Sequence, residues 1–167
     1  MKKRLSLLLI VCMILSGCMN QESSYITELK FYYPLQSADY TMGAAYVQPE
    51  SREGDGMDKS LTNMLNVYLA GPIDPITYRM PFQYNTHVES ISRGSKMLEI
   101  TLSRGFATYT GLDLTIACAC LTMTCLELTD AEVIRIRAKD ATLDGAEFIE
   151  MSRDSLLLMD IVEDVEQ

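Results

Sequence analysis

The sequence is short of the residues that most active-site chemistry needs. It holds one histidine, His87, so a Ser-His-Asp arrangement has no spare imidazole and a zinc site has few nitrogen ligands to draw on. No GxSxG, HExxH, P-loop or Rossmann glycine pattern occurs in it. Two carboxylates suffice for a glycosidase, yet nothing singles out a pair among the 23 acidic residues. Basic residues number only 14, the net charge is −9, and no basic patch stands out. Such a surface repels phosphate backbones and anionic headgroups, which argues against nucleic acid and against an electrostatic membrane contact. The expectation is a protein that is not an enzyme, with no catalytic residue, no metal site and no cofactor.

What is present begins at the N-terminus. Met1 to Arg4 carry three positive charges, and Leu5 to Leu15 form an apolar run broken only by Ser6. That run is too short for a membrane span, which takes about 20 apolar residues, and fits a secretory signal. Leu15, Ser16, Gly17 and Cys18 follow in the order of the bacterial lipobox. In that motif the cysteine receives diacylglycerol and becomes the new N-terminus after cleavage. Residues 1–17 are therefore expected to be a lipoprotein signal peptide and Cys18 a lipid anchor. Two or three acyl chains hold a protein stably at a membrane, at about 0.8 kcal/mol per buried methylene. The expected location is extracytoplasmic, tethered to the cell membrane. Removing the signal leaves about 150 residues, the size of one domain, and makes the net charge more negative by three.

Residues 18–24 are polar and aperiodic, a tether. Leu29, Phe31 and Tyr33 then alternate with Lys30 and Tyr32 up to Pro34, the period-two mark of a strand. Met42 to Val47 suggests a second strand, and Pro49 to Gly56 a polar loop. Met57, Leu61, Met64, Leu65, Tyr68 and Leu69 line one face of a helix, with Asp55 as its candidate cap and Gly71-Pro72 as its stop. Val88 to Ile91 and Met97 to Leu102 predict a hairpin around Arg93-Gly94-Ser95, with Leu98, Ile100 and Leu102 inward. Thr110 to Asp113 has the spacing of a capping box and announces a second helix, apolar enough to be mostly buried. Val133 to Ala138 alternates again, with Ile134 and Ile136 on one face. Residues 141–167 form an acidic extension that could add a strand or a short helix; Asp144 to Gln167 holds eight acidic residues against one basic, Arg153.

This order of elements, with its wording, resembles the GerM domain of sporulation and spore-germination lipoproteins over residues 25–140. The most specific piece is Tyr68-Leu69-Ala70-Gly71-Pro72, which is similar to the family's helix-ending YLxGP motif. Leu29 to Tyr33, Met97 to Ser103 and Val133 to Arg137 resemble its opening, middle and closing strands. The resemblance implies a small α+β domain of the ring-building type, with two helices on one face of a mixed or antiparallel sheet. It implies envelope protein partners in the channel complex between mother cell and forespore, and no catalysis. The sequence departs from the family pattern in its acidic extension and in three cysteines on the second helix.

Those cysteines, Cys118, Cys120 and Cys125, invite a metal or redox reading that helix geometry opposes. Positions 118 and 120 point about 200° apart, and 118 and 125 lie about 10.5 Å apart along the axis. Neither pair can close a disulfide, the first because its side chains point apart and the second because its Cα atoms exceed the separation of about 7 Å that the bond tolerates. Small, apolar and usually buried, they suit a core. Two functions from different classes remain: a lipid-anchored interaction module whose surfaces do the work, and a lipoprotein that captures a small solute or wall fragment. Against the second, one domain of this size is small for a hinged cleft between two lobes.

Overall fold

The computed structural model describes residues 28–37, 46–54 and 60–156. The signal, the lipobox with Cys18, the tether, Met42 to Ala45 and Leu157 to Gln167 lie outside the described residues. The fold is α+β. Strand β1 (Glu28–Pro34) pairs antiparallel with β2 (Val47–Glu53), while β3 (Val88–Arg93), β4 (Met97–Leu102), β5 (Val133–Ala138) and β6 (Ile149–Ser152) form a second, four-stranded sheet in that order. Helix α1 (Leu61–Leu69) joins the two sheets in sequence, and helix α2 (Gly111–Leu128) connects β4 to β5. The β4–β5 pair is parallel, which is why a helix must span the gap between them, whereas β3–β4 is the expected hairpin.

The expected strand-helix-strand-strand-helix-strand order is there, with β2 and β6 added. Strand β2 corrects the expectation of a polar loop from Pro49, and the reason is local. Tyr32, the register partner of Pro49, turns its N–H away from β2 to the Thr124 hydroxyl at 2.9 Å, and its carbonyl accepts from the Tyr68 hydroxyl. The pair is therefore of the non-hydrogen-bonded kind, and the N–H that proline lacks is on the outer edge of the ribbon, where no ladder bond is lost. Strand β6 settles the open choice in the acidic extension: Glu150 and Met151 pair with Arg135 and Ile134, so the four-stranded sheet runs past residue 140.

Both helix starts differ from the expected caps. Asp55 lies outside the described residues, and α1 opens on Ser60, whose hydroxyl accepts from Asn63 N–H at 3.4 Å. Thr110 makes no capping bond with its side chain. The Asp144 carboxylate accepts instead from Gly111 N–H at 3.3 Å, carried there by a tight turn in which Asp144 and Gly145 both take positive φ. A distant carboxylate at a helix N-terminus complements the helix dipole as a local cap would.

The main core gathers Leu98, Ile100, Leu102, Ile134 and Ile136 from the inner face of the four-stranded sheet with Leu65, Tyr68 and Leu69 from α1 and Phe31 and Tyr33 from β1. Helix α2 is buried on more than one side. Leu114, Cys118, Leu121 and Cys125 enter the main core, while Ile116 and Cys120 pack in a second cluster with Val47, Tyr32 and Tyr46. It is long and apolar enough to cross a membrane, and this double burial explains its composition.

Candidate functional site

The end of α1 is where the most specific sequence motif and the most unusual electrostatics meet. Tyr68 and Leu69 are core residues, and the ring of Tyr68 touches Phe31, Tyr33 and Phe82 at centroid distances of 5.6, 5.0 and 5.2 Å. Ala70 closes the helix, and Gly71 turns left-handed at φ +115°. A Cβ on Gly71 would lie 3.0 Å from the Met80 sulfur, so both backbone angle and space select glycine here. Pro72 then directs the chain into the loop 73–78. The motif is thus a helix stop packed into the core.

That stop is held by a buried ion pair that the sequence reading placed in a polar loop. Glu50 and Arg52 alternate on β2 with the exposed Pro49, Ser51 and Glu53, so both side chains enter the interior. Arg52 grips one carboxylate oxygen of Glu50 with Nε at 2.7 Å and Nη2 at 2.6 Å. Nη2 also donates to the Tyr33 hydroxyl at 3.0 Å and the Gly71 carbonyl at 2.7 Å, and the guanidinium stacks 4.7 Å from the Phe31 ring centre. The other Glu50 oxygen accepts from the N–H groups of Ile73 and Asp74 at 2.8 and 2.9 Å. Tyr33 in turn donates to the Tyr68 carbonyl at 2.7 Å. Every member is spoken for, which is the condition under which a buried charge pair is tolerated. Burial pushes the Tyr33 and Tyr68 hydroxyls well above the ordinary tyrosine range.

The three described cysteines are free thiols, fully buried on α2. Cys118 and Cys120 sit in different clusters, as their angular separation requires. Desolvation pushes the Cys118 thiol up to about 12 and raises Cys120 and Cys125 as well, so at neutral pH all three are protonated and poor nucleophiles. His87 is exposed beside Glu89 at 3.3 Å. No group of three or more metal-ligating side chains occurs among the described residues.

The outer face of the four-stranded sheet carries a ladder of opposite charges. Arg135 binds Glu150 at 2.7 Å and Glu99 at 3.2 Å, Arg137 binds Glu147 at 2.6 Å, and both guanidiniums cover the Phe148 ring at 4.4 and 5.0 Å. Lys139 bonds Glu89 and holds its carboxyl below the usual range. Large apolar side chains stand in solvent elsewhere: Ile73 and Ile76 on the loop after α1, Tyr84, and Leu112 at the start of α2. Sequence reasoning missed the roles of Glu50, Arg52 and Asp144 and the exposure of Ile73, Ile76 and Leu112. The i, i+2 spacing of Glu50 and Arg52 was the signal for the buried pair.

No protein-family model matches the chain, and a search of curated proteins finds no relative. Among solved structures, a 2.5 Å crystal structure of a candidate lipoprotein from Clostridium perfringens is similar over 76% of this chain and 87% of that one, at 16% identity and a TM-score of 0.40. That likeness is too slight to carry fold or function.

Proposed function

We propose that the protein is a lipid-anchored, extracytoplasmic interaction module, held at the cell membrane through Cys18, that works by contact with envelope proteins and has no catalytic role. The observation that carries this reading is the contrast between inside and outside. Glu50, Arg52 and the thiols are consumed by internal bonds or shut away from solvent, while Ile73, Ile76, Tyr84 and Leu112 stand exposed at the surface. Unpaired reactive groups in a cleft would favour chemistry, whereas Ile73 and Ile76, exposed three residues apart on one loop, offer an apolar surface for contact.

The motif Tyr68 to Pro72, behind the lipobox residues Leu15 to Cys18, narrows the reading to a GerM-like role in assembling or supporting a sporulation or germination complex between mother cell and forespore. Heat-resistant spore yield, measured with the gene deleted and with Cys18→Ala in its place, tests both parts. Deletion is expected to lower the yield without affecting growth, and Cys18→Ala to release the protein from the membrane fraction and reproduce part of the loss. An unchanged yield on deletion would remove the sporulation assignment; membrane retention of the Cys18→Ala protein would remove the lipid anchor.

A further inference from the structure

Three free thiols on one helix are an unusual load for a chain that leaves the cytosol, because oxidising compartments turn cysteines into disulfides. Cys118, Cys120 and Cys125 are each 0% exposed, and helix geometry forbids every pairing among them. Cys118 and Cys120 point about 200° apart, Cys120 and Cys125 are separated by about 7.5 Å along the axis and about 140° around it, and Cys118 and Cys125 by about 10.5 Å along it. The last two pairs exceed the Cα separation of about 7 Å that a disulfide spans, and the first closes only if the helix unwinds. A disulfide within this segment and an intact α2 exclude each other. The fold in turn depends on α2. Cys118 and Cys125 stand in the main core with Leu114 and Leu121, Cys120 packs in the second cluster with Ile116 and Val47, and the Thr124 hydroxyl accepts from Tyr32 N–H at the edge of β1.

In the unfolded chain the same thiols meet solvent, and a loop as short as theirs closes in about 10–100 ns. One thiolate attacks a small external disulfide, releases one thiol and leaves a mixed disulfide on the chain. A second chain thiolate attacks the chain sulfur of that mixed disulfide and releases the other thiol. Two protein thiols are oxidised, one external disulfide is reduced to two thiols, and the two protons pass to the departing thiolates. We propose that α2 is a redox gate on maturation: a disulfide between any two of Cys118, Cys120 and Cys125, formed before folding, locks the chain out of its native structure, whereas folding first places all three thiols beyond attack. The folded protein then tolerates the oxidant that would have stopped it. The setting, a chain that meets oxidant outside the cytosol, rests on the lipid-anchored reading above; the gate itself is a property of the helix.

Order of addition tests the gate. Full-length lipidated protein in detergent receives oxidised glutathione either while unfolded in urea or after refolding by dilution. Oxidant added after folding is expected to leave the thiols, the far-ultraviolet helical signal and the resistance to trypsin unchanged. Oxidant added in urea is expected to abolish recovery of both signal and resistance on dilution, until dithiothreitol restores them. A chain with Cys118→Ala, Cys120→Ala and Cys125→Ala should refold alike in either order. Parent chain that is oxidised in urea and still refolds without reductant overturns the proposal, and so does folded protein that loses its thiols as fast as unfolded protein. A loss that dithiothreitol does not reverse, or one that persists in the triple variant, assigns the failure to something other than a disulfide on α2 and overturns it as well. The anchor is judged separately, by counting thiols in urea before any oxidant. Of the five cysteines in the sequence, a chain cut before Cys18 and acylated on its sulfur shows only the three of α2; Cys12 or Cys18 titrating beside them removes the lipid-anchor reading and leaves the order of addition to decide the gate.

Discussion

At the residue scale, the molecule concentrates its costs around Gly71. Replacing Gly71 with alanine forces a left-handed backbone on a side chain and drives a Cβ against the Met80 sulfur, and such strain typically costs about 1–3 kcal/mol. Urea denaturation of Gly71→Ala is expected to show a loss of that size, and a midpoint equal to the parent would contradict the packing described here. The ion pair predicts a larger effect. Glu50→Ala leaves the Arg52 guanidinium buried with its carboxylate partner gone and frees the N–H groups of Ile73 and Asp74, a situation that costs roughly 3–5 kcal/mol. A double replacement, Glu50→Leu with Arg52→Met, is expected to be far milder than either single change, since no unpaired charge remains. Equal losses in the single and double variants would show that the bonds to Ile73, Asp74 and Gly71, and not the charge, set the energy. Of this arrangement the sequence disclosed the glycine and the proline as a helix stop. The partners that hold the stop come from a strand hidden by Pro49, whose tolerance depends on which side of the ribbon its missing N–H falls.

At the element scale, α2 holds a matched pair of threonines that separates satisfied from unsatisfied burial. Both are fully buried. The Thr124 hydroxyl accepts from Tyr32 N–H and closes the edge of β1, whereas the Thr122 hydroxyl has no hydrogen-bond partner. Threonine and valine have nearly the same shape, so exchanging them changes the hydroxyl alone. Thr124→Val strands a buried N–H and is expected to lose about 1–3 kcal/mol. Thr122→Val removes an unpaired hydroxyl from an apolar setting and is expected to leave stability unchanged or raise it. Calorimetry on the two variants checks the contrast, and a Thr122→Val protein less stable than Thr124→Val would reverse it. The apolar pattern of the helix was plain in the sequence, as was its burial. The identity of the layers on its different sides was not, because a helix apolar all round offers no stripe from which to read direction. The start of the helix was legible in place but not in chemistry, since the cap arrives from Asp144, more than thirty residues downstream.

At the scale of the whole molecule, the strands with clear alternation, β1, β4 and β5, were legible because one face of each meets the core, and the fold class followed from them. Strand β6 was ambiguous because its four residues are half-buried or exposed and sit at an edge, where the inside–outside contrast is weak. The burial of α2 and of the β1–α1 tyrosines also makes a global prediction about pH. The thiols of Cys118, Cys120 and Cys125 and the hydroxyls of Tyr33 and Tyr68 all have acid ionisation pushed upward by burial. A raised native pKa favours the neutral form in the fold. The stability it contributes is fully present below the unfolded pKa and is lost as pH rises toward the folded one. For the thiols that decline begins near pH 8.5, the usual value in an unfolded chain, and each contributes about 1.4 kcal/mol per pH unit beyond it. For Cys118 it extends up to about pH 12; the tyrosines join only above about pH 10. Urea midpoints should therefore hold steady through neutral pH and fall steeply between about pH 9 and 10. A variant with Cys118, Cys120 and Cys125 all replaced by alanine will be less stable at neutral pH, because cavities replace the sulfur atoms. Its midpoint should nevertheless stay level across that window, because the groups that ionise there on unfolding are gone. A parent protein whose midpoint stays level through the same window would mean that the thiols reach solvent in the folded state, and with it the account of α2 as a helix buried on several sides would fail.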